Sequence, residues 1–209
     1  MEVKKVLNIA KNLILAIDSG TTSSRVALID KQLNILDIEN SLHQQIHLNQ
    51  GWTEHNPEEI MDNVNYLISK LKSRNVELFQ NISGISITNQ RETVLCWNKS
   101  TGKSYSNAIV WHDTRTHDIV NRMVEKYGNV DFLRKKCGLP MNTYFSAGKI
   151  RWIIENNEIV REKVKNNDIN DLCFGTIDSW LIFVKIVHYI FRNSQETFIL
   201  MLLMRQEQC

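Results

Sequence analysis

The 209-residue sequence predicts an α/β domain built on a mixed sheet. Three observations carry that expectation. Apolar runs joined by short turns open the chain, a well-signalled amphipathic helix follows, and helices then alternate with strand-like runs to about residue 183. Hydrophobic residues make up 43% and charged residues 23%, a balance that supports a sizeable core and argues against disorder throughout. With 25 Lys and Arg against 23 Asp and Glu, no basic stripe suggests nucleic acid. No apolar run reaches the roughly 20 residues of a bilayer span, so no membrane partner is expected. Four separated cysteines without a C-x-x-C pair suit a reducing, cytoplasmic setting and give no zinc or redox motif.

Leu13 to Ile17 is a continuous apolar run ending at Asp18-Ser-Gly, as expected of a buried strand. Val26 to Ile29 and Leu33 to about Leu42 extend it into an antiparallel meander. Asn56, Pro57 and Glu59 mark a helix start, with an Asn-x-x-Glu capping pattern and Pro at the first helical position. Ile60, Met61, Val64, Leu67, Ile68 and Leu71 then recur on one helical face. Ile82 to Thr88, Val94 to Trp97 and Ala108 to Trp111 read as strands. Ile119, Val120, Met123, Val124 and Tyr127 form a second helical stripe, and Ile150, Ile153 and Ile154 a third. Leu172 to Phe174 reads as a short strand, and Thr176 to Phe183 as a helix. Val184 to Phe191 and Phe198 to Met204 are apolar without helical spacing. The expected division is an extension over 1–12, a domain over 13–183 and an apolar tail over 184–209.

Three polar segments sit at the ends of apolar runs. In Asp18-Ser-Gly-Thr-Thr-Ser-Ser-Arg25, Gly20 permits a tight turn whose amides converge on an anion. Thr21, Thr22 and Ser23 add hydroxyls, Arg25 adds a cationic fork, and Asp18 suits a hydrated Mg²⁺. A polar hairpin turn with no ligand fits the same residues equally well. In Thr88-Asn-Gln-Arg-Glu-Thr, Arg91 offers only donors and ionised Glu92 only acceptors, a set suited to vicinal hydroxyls, although a surface ion pair reads the same way. In Ala108-Ile-Val-Trp-His-Asp-Thr-Arg, Trp111 can wall a small polyol, and Asp113 or Thr114 is expected to cap the next helix. His112 and His117 are expected at the surface. Tyr144 either adds a hydroxyl to that pocket or packs at a helix start.

Taken together and in order, these segments, with Gly51-Trp-Thr-Glu-His-Asn-Pro-Glu-Glu-Ile, Thr143-Tyr-Phe-Ser-Ala and Phe174-Gly-Thr-Ile-Asp-Ser-Trp-Leu, resemble the glycerol kinases of the FGGY carbohydrate kinase family. The resemblance implies the ribonuclease-H-like fold of the actin and hexokinase superfamily, here as an incomplete N-terminal kinase domain. It implies ATP and Mg²⁺ as cofactors and glycerol as substrate. Thr21, Thr22, Ser23 and Arg25 match the first phosphate motif, and Asp18 the acidic residue associated with Mg²⁺. Arg91, Glu92 and Tyr144 match residues that bond glycerol hydroxyls, and Trp111 an aromatic wall. Ser19 stands where the family usually has Gln. Full-length members are expected to be homo-oligomers.

After Trp180-Leu-Ile the sequence leaves the family pattern, and the family's catalytic aspartate, second phosphate motif and adenosine segment have no counterpart here. A reading-frame or splicing change near codon 184 is the expected origin, and little or no kinase activity is expected of residues 1–209 alone. A non-catalytic polyol-binding fragment is the alternative outside the enzyme class, and a kinase for another small sugar is the alternative within it.

Overall fold

The computed structural model describes residues 12–184, so the tail from 185 and the extension up to residue 11 lie outside the described residues. Strands β1 (Leu13–Ser19), β2 (Ser23–Ile29) and β3 (Ile35–Leu42) form the expected antiparallel meander, with Ile17 opposite Val26 and Ala27 opposite Ile38. A two-residue strand β4 (Glu54–His55) precedes helix α1 (Pro57–Arg74), and a single turn α2 (Val76–Phe79) leads to β5 (Ile82–Asn89). Strands β6 (Val94–Asn98) and β7 (Ala108–Ile109) are followed by helices α3 (His117–Tyr127), α4 (Arg134–Cys137), α5 (Ser146–Asn156) and α6 (Glu158–Lys165). Strand β8 (Leu172–Thr176) and helix α7 (Ile177–Phe183) complete the described fold.

The strands make two sheets. In the first, ordered β3-β2-β1-β5, β5 runs parallel to β1, which makes it the mixed sheet expected. The second, ordered β4-β7-β6-β8, is antiparallel and was not foreseen. Its neighbouring members β4 and β7 have two residues each, too few for alternation to be legible in sequence. The apolar run over 108–111 leaves the sheet early, where the Val110 amide donates to Thr53 O at 3.0 Å.

Helix α1 forms because its local signals agree. Asn56 Oδ1 accepts from the Glu58 and Glu59 amides at 2.9 and 3.4 Å, and Pro57 occupies the first turn. Glu59 does not close the capping box. Its carboxylate accepts from the Gln44 amide at 2.9 Å, tying α1 to the chain after β3. Ile60, Val64, Leu67, Ile68 and Leu71 are buried against Leu15, Ile17, Val26, Leu28 and Ile85 of the first sheet. Burying each such side chain contributes about 1.5–3 kcal/mol, so this seam fixes the sheet beneath the helix. Outward from it, Leu36, Ile38 and Leu42 of the edge strand β3 are 44%, 47% and 74% exposed.

Because β1 and β5 are parallel, their C-terminal ends lie side by side. The Gln90 amide donates to Ser19 O at 2.8 Å, joining the turn after β5 to the end of β1. Ligands of α/β sheets gather at such strand ends.

Candidate active site

The turn from β1 to β2 is closed by the Gly20 amide, which donates to Ser23 O at 3.0 Å. A Cβ at position 20 would lie 3.3 Å from that oxygen, so the close approach favours glycine. The carbonyls of Thr21 and Thr22 are occupied: Gln45 Nε2 donates to the first at 3.1 Å and the His43 amide to the second at 2.9 Å. The amides of Thr21 and Thr22 have no protein acceptor among the described residues, which leaves two donors for an anion. Thr22 is exposed and Thr21 partly so, whereas Ser23 is buried. Ser19 is also fully buried, accepting at 3.3 Å from the Ser24 hydroxyl. Asp18 and Arg25 face each other across the hairpin with 3.6 Å between Oδ2 and Nη1, and both side chains are about half exposed. Such a pair contributes little in water, so each remains free to meet another charge.

The second wall comes from the turn Gln90-Arg91-Glu92. Glu92 has φ 63°, the left-handed region that costs a non-glycine residue about 1–3 kcal/mol. The compensation is at the start of α5, where Phe145 supplies no side-chain cap. Glu92 Oε2 accepts there from the Ser146 amide at 2.8 Å and from the Ser146 hydroxyl. A carboxylate at a helix N-terminus also gains from the helix dipole. Arg91 is exposed and forms no ion pair among the described residues, so the alternative of an Arg91–Glu92 surface pair is not what the fold builds.

Trp111 joins the two walls. Its indole Nε1 donates to Thr21 Oγ1 at 3.0 Å, and its ring meets Tyr144 edge-on with centroids 5.6 Å apart. Tyr144 in turn rests on Lys149, a fully buried side chain of α5. Lys149 Nζ donates to the carbonyls of Thr143 at 2.9 Å, Tyr144 at 2.6 Å and Phe145 at 3.5 Å. Burial pushes the Lys149 pKa down to about 8. Thr21, Trp111 and Tyr144 thus form one contiguous row, with Glu92 fixed two residues beyond Tyr144. Asp18 with Arg25 and the exposed Arg91 join it through the backbone rather than by side-chain contact.

Asp113 does not cap the next helix. It is fully buried, accepts from the Thr53 amide at 2.6 Å, and pairs with Arg115 Nη2 at 2.8 Å. Arg115 also reaches Glu54 at 2.7 Å and lies 4.0 and 4.8 Å from the ring centres of Trp52 and Trp152. This non-local cluster outcompetes the local cap, so Thr116 stands at the start of α3 without a side-chain cap bond, and Thr114 donates instead to Gly51 O at 3.2 Å. His112 and His117 are exposed, as expected.

Sequence reasoning also passed over His55. It is fully buried, with Nε2 2.9 Å from Gln45 Oε1 and Nδ1 3.0 Å from Gln90 Nε2. Burial, reinforced by His43, His112 and His47, lowers its pKa to about 4 and keeps it neutral. The one available signal was its place in Trp-Thr-Glu-His immediately before the Asn56 cap.

The arrangement offers free amides and a cation for phosphate, and an aromatic wall with polar groups for a small hydroxylated molecule. Among the described residues no cluster of three or more metal-ligating side chains occurs, so Asp18 fits only a hydrated cation shared with phosphates. No helix among them is long and apolar enough to cross a membrane.

The chain is similar to known carbohydrate kinases. The glycerol kinase of Clostridium perfringens is 42% identical over 172 residues, which cover 82% of this chain and 34% of that protein. The glycerol kinase of Brucella anthropi is 46% identical over 167 residues, covering 80% and 33%. The crystal structure of Plasmodium falciparum glycerol kinase with ADP superimposes with a TM-score of 0.72 at 42% identity, covering 82% of this chain and 34% of that one. A gluconate kinase from Lactobacillus acidophilus, at 22% identity and a TM-score of 0.63, shares the fold. The chain therefore spans about a third of the length of the relatives it matches. The model of the N-terminal domain of the FGGY family of carbohydrate kinases matches residues 13–189. With that match covering most of its length, and with a fold shared with FGGY sugar kinases, the chain belongs to the FGGY family of carbohydrate kinases and carries its N-terminal domain.

Proposed function

We propose that this chain forms the glycerol-binding wall and first phosphate turn of an ATP-dependent glycerol kinase, which moves the γ-phosphoryl group to a terminal hydroxyl and yields sn-glycerol 3-phosphate. The observation that supports this reading is the bond from Trp111 Nε1 to Thr21 Oγ1, which brings the indole against the turn between β1 and β2. Phosphoryl transfer depends chiefly on such positioning and on charge stabilisation. In this reading the Thr21 and Thr22 amides, with Arg25, bind phosphate oxygens, and the buried Ser23 supports the turn from within. Arg91 donates to glycerol hydroxyls and Glu92 accepts through Oε1, which has no donor among the described residues. Tyr144 and Trp111 close the wall. Asp18 would hold Mg²⁺, which when bound neutralises the phosphate charge.

The similarity to glycerol kinases at 42–46% identity supports glycerol over a larger sugar. Thermal unfolding of the 209-residue chain with and without glycerol tests the wall, since a ligand that binds only the folded state raises the midpoint. Stabilisation by glycerol that is lost in Arg91→Ala supports the reading, and identical midpoints with and without glycerol overturn it. Turnover by the 209-residue chain alone is expected to be absent. Measurable glycerol phosphorylation abolished by Arg91→Ala would overturn that expectation.

A further inference from the structure

We propose that His55 is a positioning residue that holds the phosphate turn and the polyol wall in one geometry, as part of a closed hydrogen-bond circuit. The proposal rests on the functional reading above. The circuit starts at Trp111, whose backbone amide donates to Thr93 Oγ1 at 3.2 Å. Thr93 Oγ1 donates to Gln90 Oε1 at 3.0 Å, and Gln90 Nε2 donates to His55 Nδ1 at 3.0 Å. His55 Nε2 donates to Gln45 Oε1 at 2.9 Å, and Gln45 Nε2 donates to the Thr21 carbonyl at 3.1 Å. Thr21 Oγ1 accepts from the Trp111 indole at 3.0 Å, which returns the path to its origin.

The polarity of the ring is fixed by chemistry. Gln45 turns its N–H toward the Thr21 and His43 carbonyls, which can only accept, so Gln45 Oε1 faces His55 and the ring must donate there, leaving Gln90 to present N–H on the other side. His55 must therefore accept at Nδ1 and donate at Nε2, which only one neutral tautomer can do. His55 and Thr93 are fully buried and Gln90 is 5% exposed, so a missing link leaves a polar group without water. A buried histidine serving only the core would bond its own neighbourhood. This one instead spans two elements of the site, Thr21 through Gln45 on one side and the residue next to Arg91 on the other. Buried as it is, His55 acts through these partners.

The test uses the ¹⁵N-labelled 209-residue chain, with glycerol as the probe. His55→Leu removes both bonds, whereas His55→Gln can keep one donor and one acceptor. Loss of the circuit should weaken glycerol binding about tenfold, the effect of one to two neutral hydrogen bonds. It should also shift the Trp111 indole N–H resonance, identified through Trp111→Phe, and His55→Gln should recover most of both effects. A folded His55→Leu chain with glycerol affinity within twofold of the parent and an unmoved indole resonance overturns the proposal. If His55→Leu does not fold, Gln45→Leu, at a partly exposed position, breaks the same circuit and is held to the same two readouts. If the parent chain does not bind glycerol, the functional reading fails, and the indole resonance alone decides the circuit: unmoved, it overturns the proposal.

Discussion

Trp111 and Thr21 lie 90 positions apart in the chain, yet the indole of one donates a 3.0 Å hydrogen bond to the hydroxyl of the other. A residue read as an aromatic wall and a residue read as a phosphate ligand are therefore direct neighbours. Trp111→Phe keeps an apolar ring but deletes the donor together with part of the indole surface. The expected result is a loss of about 1 kcal/mol in glycerol binding, roughly fivefold, measured by calorimetric titration. Trp111→Ala, which also removes the wall, should lose more.

The depressed pKa of His55 has a defined pH signature. Its folded value of about 4 lies below the unfolded value of 6.5, so between those limits the unfolded chain binds more protons. Stability should rise from pH 4 to pH 6.5 and then level, with His55 contributing about 3 kcal/mol to the rise at most. His43, also lowered by burial, adds in the same sense. Denaturant unfolding across this range checks the slope, which should be shallower in His55→Gln.

Lys149 supports the loop that carries Tyr144. Lys149→Met fills similar space but leaves three partly buried carbonyls without their ammonium donor. It should destabilise the chain by about 1–3 kcal/mol and weaken glycerol binding, while Lys149→Arg should be intermediate. Thermal unfolding and glycerol titration on the same samples separate the two effects.

Arg115→Met would strand the Asp113 and Glu54 carboxylates in a buried site. Removing one member of such a cluster typically costs about 3–5 kcal/mol. The expected drop in unfolding midpoint should exceed that of Arg122→Met, whose pair with Glu155 is largely exposed.

What the sequence revealed was local. The Asn56 cap, the apolar face of α1 and the β1–β3 meander depend on neighbours a few residues apart, and each formed where expected except that β3 begins at Ile35, with Leu33 left in the turn at φ 66°. The residue types of the site were legible because Asp18, Thr21, Arg91, Glu92 and Trp111 all follow apolar runs. Asp113 was misread because a helix cap is visible within four residues, whereas the Thr53 amide it accepts from and the Glu54 that shares Arg115 with it lie some 60 positions away and meet it only in the fold. His55 was passed over for the same reason, since its value lies in Gln45 and Gln90, contributed by other segments. The second sheet stayed hidden because two-residue strands carry no periodicity.

The exposed side of β3 has a practical consequence for anyone handling this chain. Among the described residues, β3 is an edge strand with Leu36, Ile38 and Leu42 outward, offering both unpaired backbone and greasy side chains to whatever drifts past, and its charged residues Asp37 and Glu39 are already engaged by Arg74 and Lys70 of α1. Such an edge lacks the lysines and prolines that ordinarily discourage strand-to-strand stacking. Self-association should therefore set the working concentration of the protein, and Ile38→Lys should raise its solubility while leaving the proposed glycerol wall untouched.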